Sequence, residues 1–249
     1  MGNTFKISLL KEEFDKRESF TRKELYDFYK KFEPDLNEKT FGWRIYHLKH
    51  QNIIRVIKRG IYSLSQKIAY QTPAEETLQK IFGEIKQNYP LVNLCLWDTR
   101  CLNDFMIHQA ARFLLIVEVE PDAAESVFYY LRDNEYKNVY LQPDAEIMSK
   151  YVYQDTETII VKSLVSKSPL QKNNNIAVPR LEKILVDIIC EEVILGSFRG
   201  EMSTIFNTAY EKFDINFSVL LNYAWRRGKK KELIEYMKKN TAIPENLFT

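Results

Sequence analysis

The residues that usually mark a metal or redox centre are few in this sequence. Its three cysteines, Cys95, Cys101 and Cys190, cannot all pair with one another and form no C-x-x-C unit, so reduced and mostly buried thiols are expected. Its three histidines, His47, His50 and His108, show no H-E-x-x-H spacing, and no metal site is expected. No apolar run approaches the roughly eighteen residues of a membrane-spanning helix, which excludes one on hydropathy. The opening M-G-N-T-F-K-I-S-L-L lacks the apolar segment and small-residue cleavage site of a signal peptide and misses the myristoylation pattern, so a cytoplasmic location and no membrane partner are expected. Also missing are G-x-S-x-G, the P-loop and G-x-G-x-x-G, and no cofactor is expected.

What is present is a globular composition, 45% hydrophobic and 28% charged over 249 residues, a length comfortable for two domains. The formal net charge is only +2, but it is unevenly placed. Between Asn37 and Ser65 stand Lys39, Arg44, Lys49, Arg55, Lys58 and Arg59 against the single acid Glu38, whereas the residues before that stretch balance and those after it are slightly acidic. Phosphate contacts supply most of the non-specific affinity for DNA, so a stretch of this sign is expected on an element that meets a duplex. The competing reading is a solvated amphipathic helix followed by a hairpin.

The local pattern agrees with the charge. Asn37 can cap a helix whose apolar residues Phe41, Ile45 and Leu48 form one face, which predicts Lys39, Thr40, Trp43, Arg44 and His47 on the solvent side. Ile53 to Ile57 is a β-branched run, Lys58-Arg59-Gly60 a turn and Ile61 to Leu64 a returning strand. Upstream, Ile7, Leu10 and Phe14 mark a first helix, and Thr21-Arg22-Lys23-Glu24 has the form of a capping box opening a second. Three helices and a basic-tipped hairpin predict a winged helix-turn-helix over residues 1–68, with Lys39, Thr40, Trp43, Arg44 and His47 meeting double-stranded DNA from the helix and Lys58 and Arg59 from the wing. Trp43 and Tyr46 serve equally well to pack on a neighbouring domain.

Past a joint at Gln66 to Pro73, the pattern alternates. Strands are expected at 91–97, 113–120, 138–141 and 158–165, and helices at 103–111, 121–134 and 144–151. Lys172-Asn173-Asn174-Asn175 reads as an exposed loop, and everything beyond Pro179 as helical. The expected fold class is α+β, with an α/β domain containing a small mixed sheet over residues 69–178 and a C-terminal helical part of the same domain over 179–249.

Three pieces of the sequence, Arg59-Gly60-Ile61-Tyr62, Pro179-x-x-Glu182-Lys183-x-Leu185-x-Asp187 and Asn216-Phe217-Ser218-x-Leu220-Leu221-x-Tyr223-Ala224-x-Arg226-Arg227-Gly228, together resemble the AbiEi antitoxins of bacterial type IV toxin-antitoxin (abortive infection) systems. The resemblance implies a transcriptional autoregulator and antitoxin in one polypeptide. Its N-terminal domain would bind inverted repeats, with a dimer possible on the DNA, and its larger domain would antagonise a co-encoded nucleotidyltransferase-like toxin.

The alternative is a nucleic-acid-processing enzyme, a metal-dependent nuclease or nucleotidyltransferase-like protein whose winged helix docks substrate. Glu118-Val-Glu120 at one strand end and Asp98 at another are the acids such an enzyme would need. The lysine that follows in restriction-like nucleases is missing, and Gly196-Ser197 comes after the acids where a nucleotidyltransferase has it before them. No catalytic residue is therefore assigned, and Glu118 and Glu120 are expected to be surface acids. The densest basic run, Arg226, Arg227, Lys229, Lys230 and Lys231 around Gly228, reads as a solvated helix junction or as a site for phosphate or an acidic partner.

Overall fold

The computed structural model describes residues 5–51, 53–64, 67–110, 112–134, 136–152 and 157–248, and it is a mixed α+β structure. Its N-terminal part is helical, with α1 (Ile7–Phe14), α2 (Arg22–Lys30) and α3 (Glu38–His50) packed around Leu10, Phe14, Leu25, Phe28, Phe41, Ile45 and Leu48. The caps form where the sequence places them. Thr21 Oγ1 accepts from the Glu24 backbone N–H at 3.1 Å while Glu24 Oε2 accepts from the Thr21 N–H at 2.7 Å, and Asn37 Oδ1 accepts from the Thr40 N–H at 2.9 Å.

A hairpin of β2 (Arg55–Lys58) and β3 (Ile61–Ser63) follows, its turn made possible by Gly60 at φ +81°. The antiparallel register slips by one residue between Val56 and Lys58, a bulge that bends β2. The two residues of β1 (Phe20–Thr21), too short to leave a periodic signal, pair with β3 and give the sheet the order β1-β3-β2. That leaves β2 as an edge. The expected joint begins at Gln66, which with Ser65 lies outside the described residues.

The second sheet is built from β4 (Leu94–Asp98), β5 (Phe113–Val119), β6 (Val139–Leu141) and β7 (Glu157–Ser163) in the order β4-β5-β7-β6, with β4 antiparallel and the others parallel. One face, with Leu94, Leu96, Val117, Val119 and Val161, packs on α4 (Glu76–Asn88) and α5 (Ala124–Asp133). The other, with Cys95, Trp97, Ile116 and Ile160, packs on α7 (Leu181–Cys190), α8 (Met202–Lys212), α9 (Phe217–Arg226) and α10 (Lys230–Asn240) in one continuous core. The short α6 (Ala145–Lys150) precedes β7. Both faces are covered, which is why these strands read as nearly unbroken apolar runs.

Two expectations fail here. Of the segment expected to be helical at 103–111, residues 103–105 instead close a 3-10 turn over Thr99–Phe105, started by Asp98 Oδ1 accepting from the Arg100 N–H at 2.8 Å, residues 106–110 form no helix, and Ala111 lies outside the described residues. The expected loop at Lys172–Asn175 is the tip of a second hairpin, β8 (Leu170–Asn173) and β9 (Ile176–Pro179), in which Asn174 and Asn175 adopt φ of 46° and 62°. Two successive left-handed residues make the turn that suits the twist of a hairpin, and asparagine tolerates that conformation better than other non-glycine residues.

Candidate nucleic-acid interface

The outer face of α3 carries Lys39, Trp43, Tyr46 and His50, spaced to lie within about 60° of one another at 100° per residue. All four are exposed, with Thr40 and Lys49 exposed beside them and His47 half-buried. Aromatic rings line that face. Trp43 stacks on Phe5 at 5.8 Å and lies tilted against His47 at 4.1 Å, and Tyr46 lies 4.5 Å from His50. Trp43 stays 52% exposed, so it caps the N-terminal core without being absorbed into it. Glu38, the one acid of the basic stretch, is held by Arg22 of α2 at 2.5 Å, which leaves no free carboxylate at the start of α3.

Arg44 departs from the expected placement. It is 1% exposed, lies 4.4 Å over the Tyr29 ring, and its Nη2 donates to Glu33 Oε2 at 2.9 Å and Oε1 at 3.1 Å. The physical reason is spacing: Phe41, Arg44, Ile45 and Leu48 follow i, i+3, i+4 and i+7, so Arg44 sits on the inward stripe and not opposite it. It therefore cannot meet DNA from this position, and its Nε and Nη1 remain buried without a hydrogen-bond partner.

The hairpin is not a free wing. The Arg59 backbone N–H donates to Ser218 Oγ in the first turn of α9 at 2.8 Å, while the Arg59 side chain is exposed. Ile57 and Ile61 pack against the core of the second unit, and Lys58 is half-buried. Arg55 turns inward as well, to the Lys67 carbonyl and to Asp214 at 3.5 Å. A cavity of about 150 Å³ lies at this junction between Glu18, Arg55, Lys67, Tyr210 and Asp214. Burial there lowers the pKa of Arg55 and Lys67 and raises that of Asp214.

The C-terminal basic run divides in two. Gly228 at φ +69° ends α9 with the Lys229 N–H bonded to the Ala224 carbonyl at 2.9 Å and the Gly228 N–H to that of Trp225 at 3.0 Å, a Schellman closure. Arg227 turns in, to Asp187 at 2.7 Å and Glu191 at 2.6 Å, and Lys229 pairs with Glu232 at 2.6 Å. Arg226, Lys230 and Lys231 stay exposed, and their side chains make no ion pair or hydrogen bond among the described residues.

The acids of the enzyme reading are also placed differently from expectation. Glu118 is wholly buried: Lys183 lies 2.6 Å from its Oε1, and the Trp97 indole N–H donates to the same oxygen at 3.0 Å. Glu120 lies past the end of β5 and accepts from the Asn93 amide. Asp98 pairs in register with Leu115 and Glu118 with Cys95, which puts Asp98 and Glu118 on opposite faces of the sheet. Asp98 has a raised pKa because it is desolvated.

Glu118 belongs to a cluster that the sequence did not reveal. Lys183 bridges Glu118 and Asp187, Tyr223 OH donates to Asp187 at 3.0 Å, Arg227 joins Asp187 to Glu191, and Lys162 closes on Glu191 at 2.6 Å. Three acids meet three bases, so the cluster is neutral. Desolvation alone would lower Lys183, but Asp187 and Glu118 hold it well above its ordinary value; desolvation would raise Asp187, but Lys183, Lys162 and Arg227 hold it below. The available signal is the i, i+4 pair Lys183 and Asp187 on a helix whose other residues, apart from Glu182, are apolar or cysteine.

Among the described residues no helix is long and apolar enough to cross a membrane. No curated protein matches the chain. Residues 40–243, from the first turn of α3 to just beyond α10, match the family of unknown function DUF6577, and the chain belongs to that family.

Proposed function

We propose that the chain is a DNA-binding transcriptional regulator whose residues 1–68 act as a winged helix, with α3 as the element that enters the major groove. The observation that carries the reading is the set of unpaired cationic side chains, Lys39 and Lys49 on α3 and Arg59 at the hairpin tip, around an aromatic outer face whose one acid is neutralised by Arg22. Phosphates satisfy such cations, and indole, phenol and imidazole rings suit base edges and sugars. The order of three helices, a short strand and a hairpin supports the same reading.

The autoregulator and antitoxin roles rest on the AbiEi resemblance. Two of its three motifs pack on one another through Lys183, Asp187, Tyr223 and Arg227, which accounts for their residues as a scaffold of the second unit. The proposed operator is an inverted repeat upstream of the gene, bound by two copies, and the proposed antagonist is a nucleotidyltransferase-like toxin encoded beside it.

Fluorescence anisotropy of the full chain on a duplex from its own upstream region tests the DNA half. Lys39→Ala with Arg59→Ala should weaken binding and lower the slope of log K against log salt by about two units. An unchanged slope would sink the interface. Co-expression with the adjacent gene tests the antitoxin half: growth should be rescued by this chain, and a harmless neighbour would leave a plain regulator.

A further inference from the structure

We infer that the C-terminal end of α9, with Trp225, Arg226, Lys230 and Lys231, is a second contact for the backbone of the same duplex, lying past the hairpin tip. The inference rests on the DNA-binding reading above. Arg55 at the start of β2 lies 3.5 Å from Asp214, and the Arg59 N–H just beyond its end donates to Ser218 Oγ at 2.8 Å, so β2 and the segment 214–218 run side by side in one direction. From Ser218 the chain continues as α9, and Arg226 stands about 12 Å further along at 1.5 Å per residue.

The surface that α9 presents there has the right chemistry. Ser218, Asn222 and Trp225 share one face at 100° per residue, so the side on which the hairpin tip rests is also the side that carries Trp225. Trp225 is 68% exposed, and its indole makes no ring contact or hydrogen bond among the described residues. The neighbouring guanidinium and ammonium groups of Arg226, Lys230 and Lys231 are equally unoccupied, while Arg227 and Lys229 are taken up by Glu191, Asp187 and Glu232. Three uncompensated cations beside an amphipathic ring match a phosphate chain, to which the guanidinium and the indole N–H both donate.

The distance sets the footprint. Base pairs follow one another at about 3.4 Å along a strand, so 12 Å places the second contact within about four base pairs of the hairpin tip. The reach of the protein on DNA is therefore longer than α3 and the hairpin alone would give.

The test compares full-length wild type with Arg226→Ala/Lys230→Ala/Lys231→Ala on duplexes that share the α3 site and differ in flank length, with thermal unfolding as a folding control. All three groups are exposed, so the fold should be unchanged. On the long duplex the variant should lose about two to three units of salt slope; on a duplex trimmed to the α3 site it should match wild type. Equal slopes at both lengths would overturn the inference and leave the α3 reading standing. A variant that keeps its duplex affinity but loses binding to polyglutamate would likewise overturn it, giving the patch to an acidic polypeptide. If wild type itself shows no salt-dependent binding to any duplex, both readings fall.

Discussion

Arg44 and Arg227 lie in the two most basic stretches of the chain, and both turn away from water, but the surroundings they enter differ in kind. Arg44 enters an aromatic core, where one carboxylate, Glu33, reaches it from a half-open position and two of its donors find nothing. Arg227 enters a cluster already stocked with acids and bases, and it ties the end of α9 to Asp187 and Glu191 of the α7 region. A buried arginine in the first setting contributes mainly by filling space beneath Tyr29, and in the second by completing a charge balance. Local charge density in the sequence is thus a poor measure of the charge a surface displays: each stretch loses part of its positive charge to the interior.

The largest effect should come from breaking the balanced cluster. Lys183→Met leaves Glu118 and Asp187 buried with no cation between them, and about 3–5 kcal/mol of stability should be lost in urea unfolding. A loss under about 1 kcal/mol would mean that the cluster is not held as charges.

The same cluster has a pH signature. Asp187 has a lowered folded pKa, so its stabilisation is fully present above its ordinary value of 3.8 and fades as pH falls below that value and through the lowered one; Lys183, raised, loses its share only at strongly alkaline pH. The stability gap between wild type and Asp187→Asn should accordingly be widest near neutrality and narrow in acid. Parallel profiles down to the acid limit would contradict the assignment.

The smallest effect tests the space-filling side of that comparison, at Arg44. Arg44→Ala should cost about 2 kcal/mol by leaving a hole under Tyr29, whereas Arg44→Met, which fills the space and removes two unsatisfied donors, should stay within about 1 kcal/mol of wild type. Neither change should alter the salt slope of DNA binding. A slope reduced by Arg44→Met would return that residue to the interface.

The parts of the fold that were legible in the sequence are those fixed by neighbours along the chain. The Thr21 capping box, the Asn37 cap, the start of α7 after Pro179 and the paired asparagines 174 and 175 all act within a few residues, although the last specify only a turn, since a β-hairpin also depends on its flanking strands. The site was legible in composition but not in direction. Lys39, Thr40 and Trp43 point outward, as their spacing predicts, while Arg44 follows its i+3 relation to Phe41 inward in spite of its charge. The six-membered cluster was illegible because its members come from positions 118, 162, 183, 187, 191 and 227, brought together only by the sheet and the helices over it. The seating of Arg59 on Ser218 spans an even longer loop of chain and left no local trace.

The neutral cluster has a practical meaning for any measurement of this protein. Its charges sum to zero and most are sealed from solvent, so dissolved ions have little to screen there, while Lys39, Lys49, Arg59, Arg226, Lys230 and Lys231 stand within reach of every counterion. Ionic strength therefore works as a dial wired to the outer face alone: turning it changes what the surface attracts and leaves the scaffold beneath at constant strength.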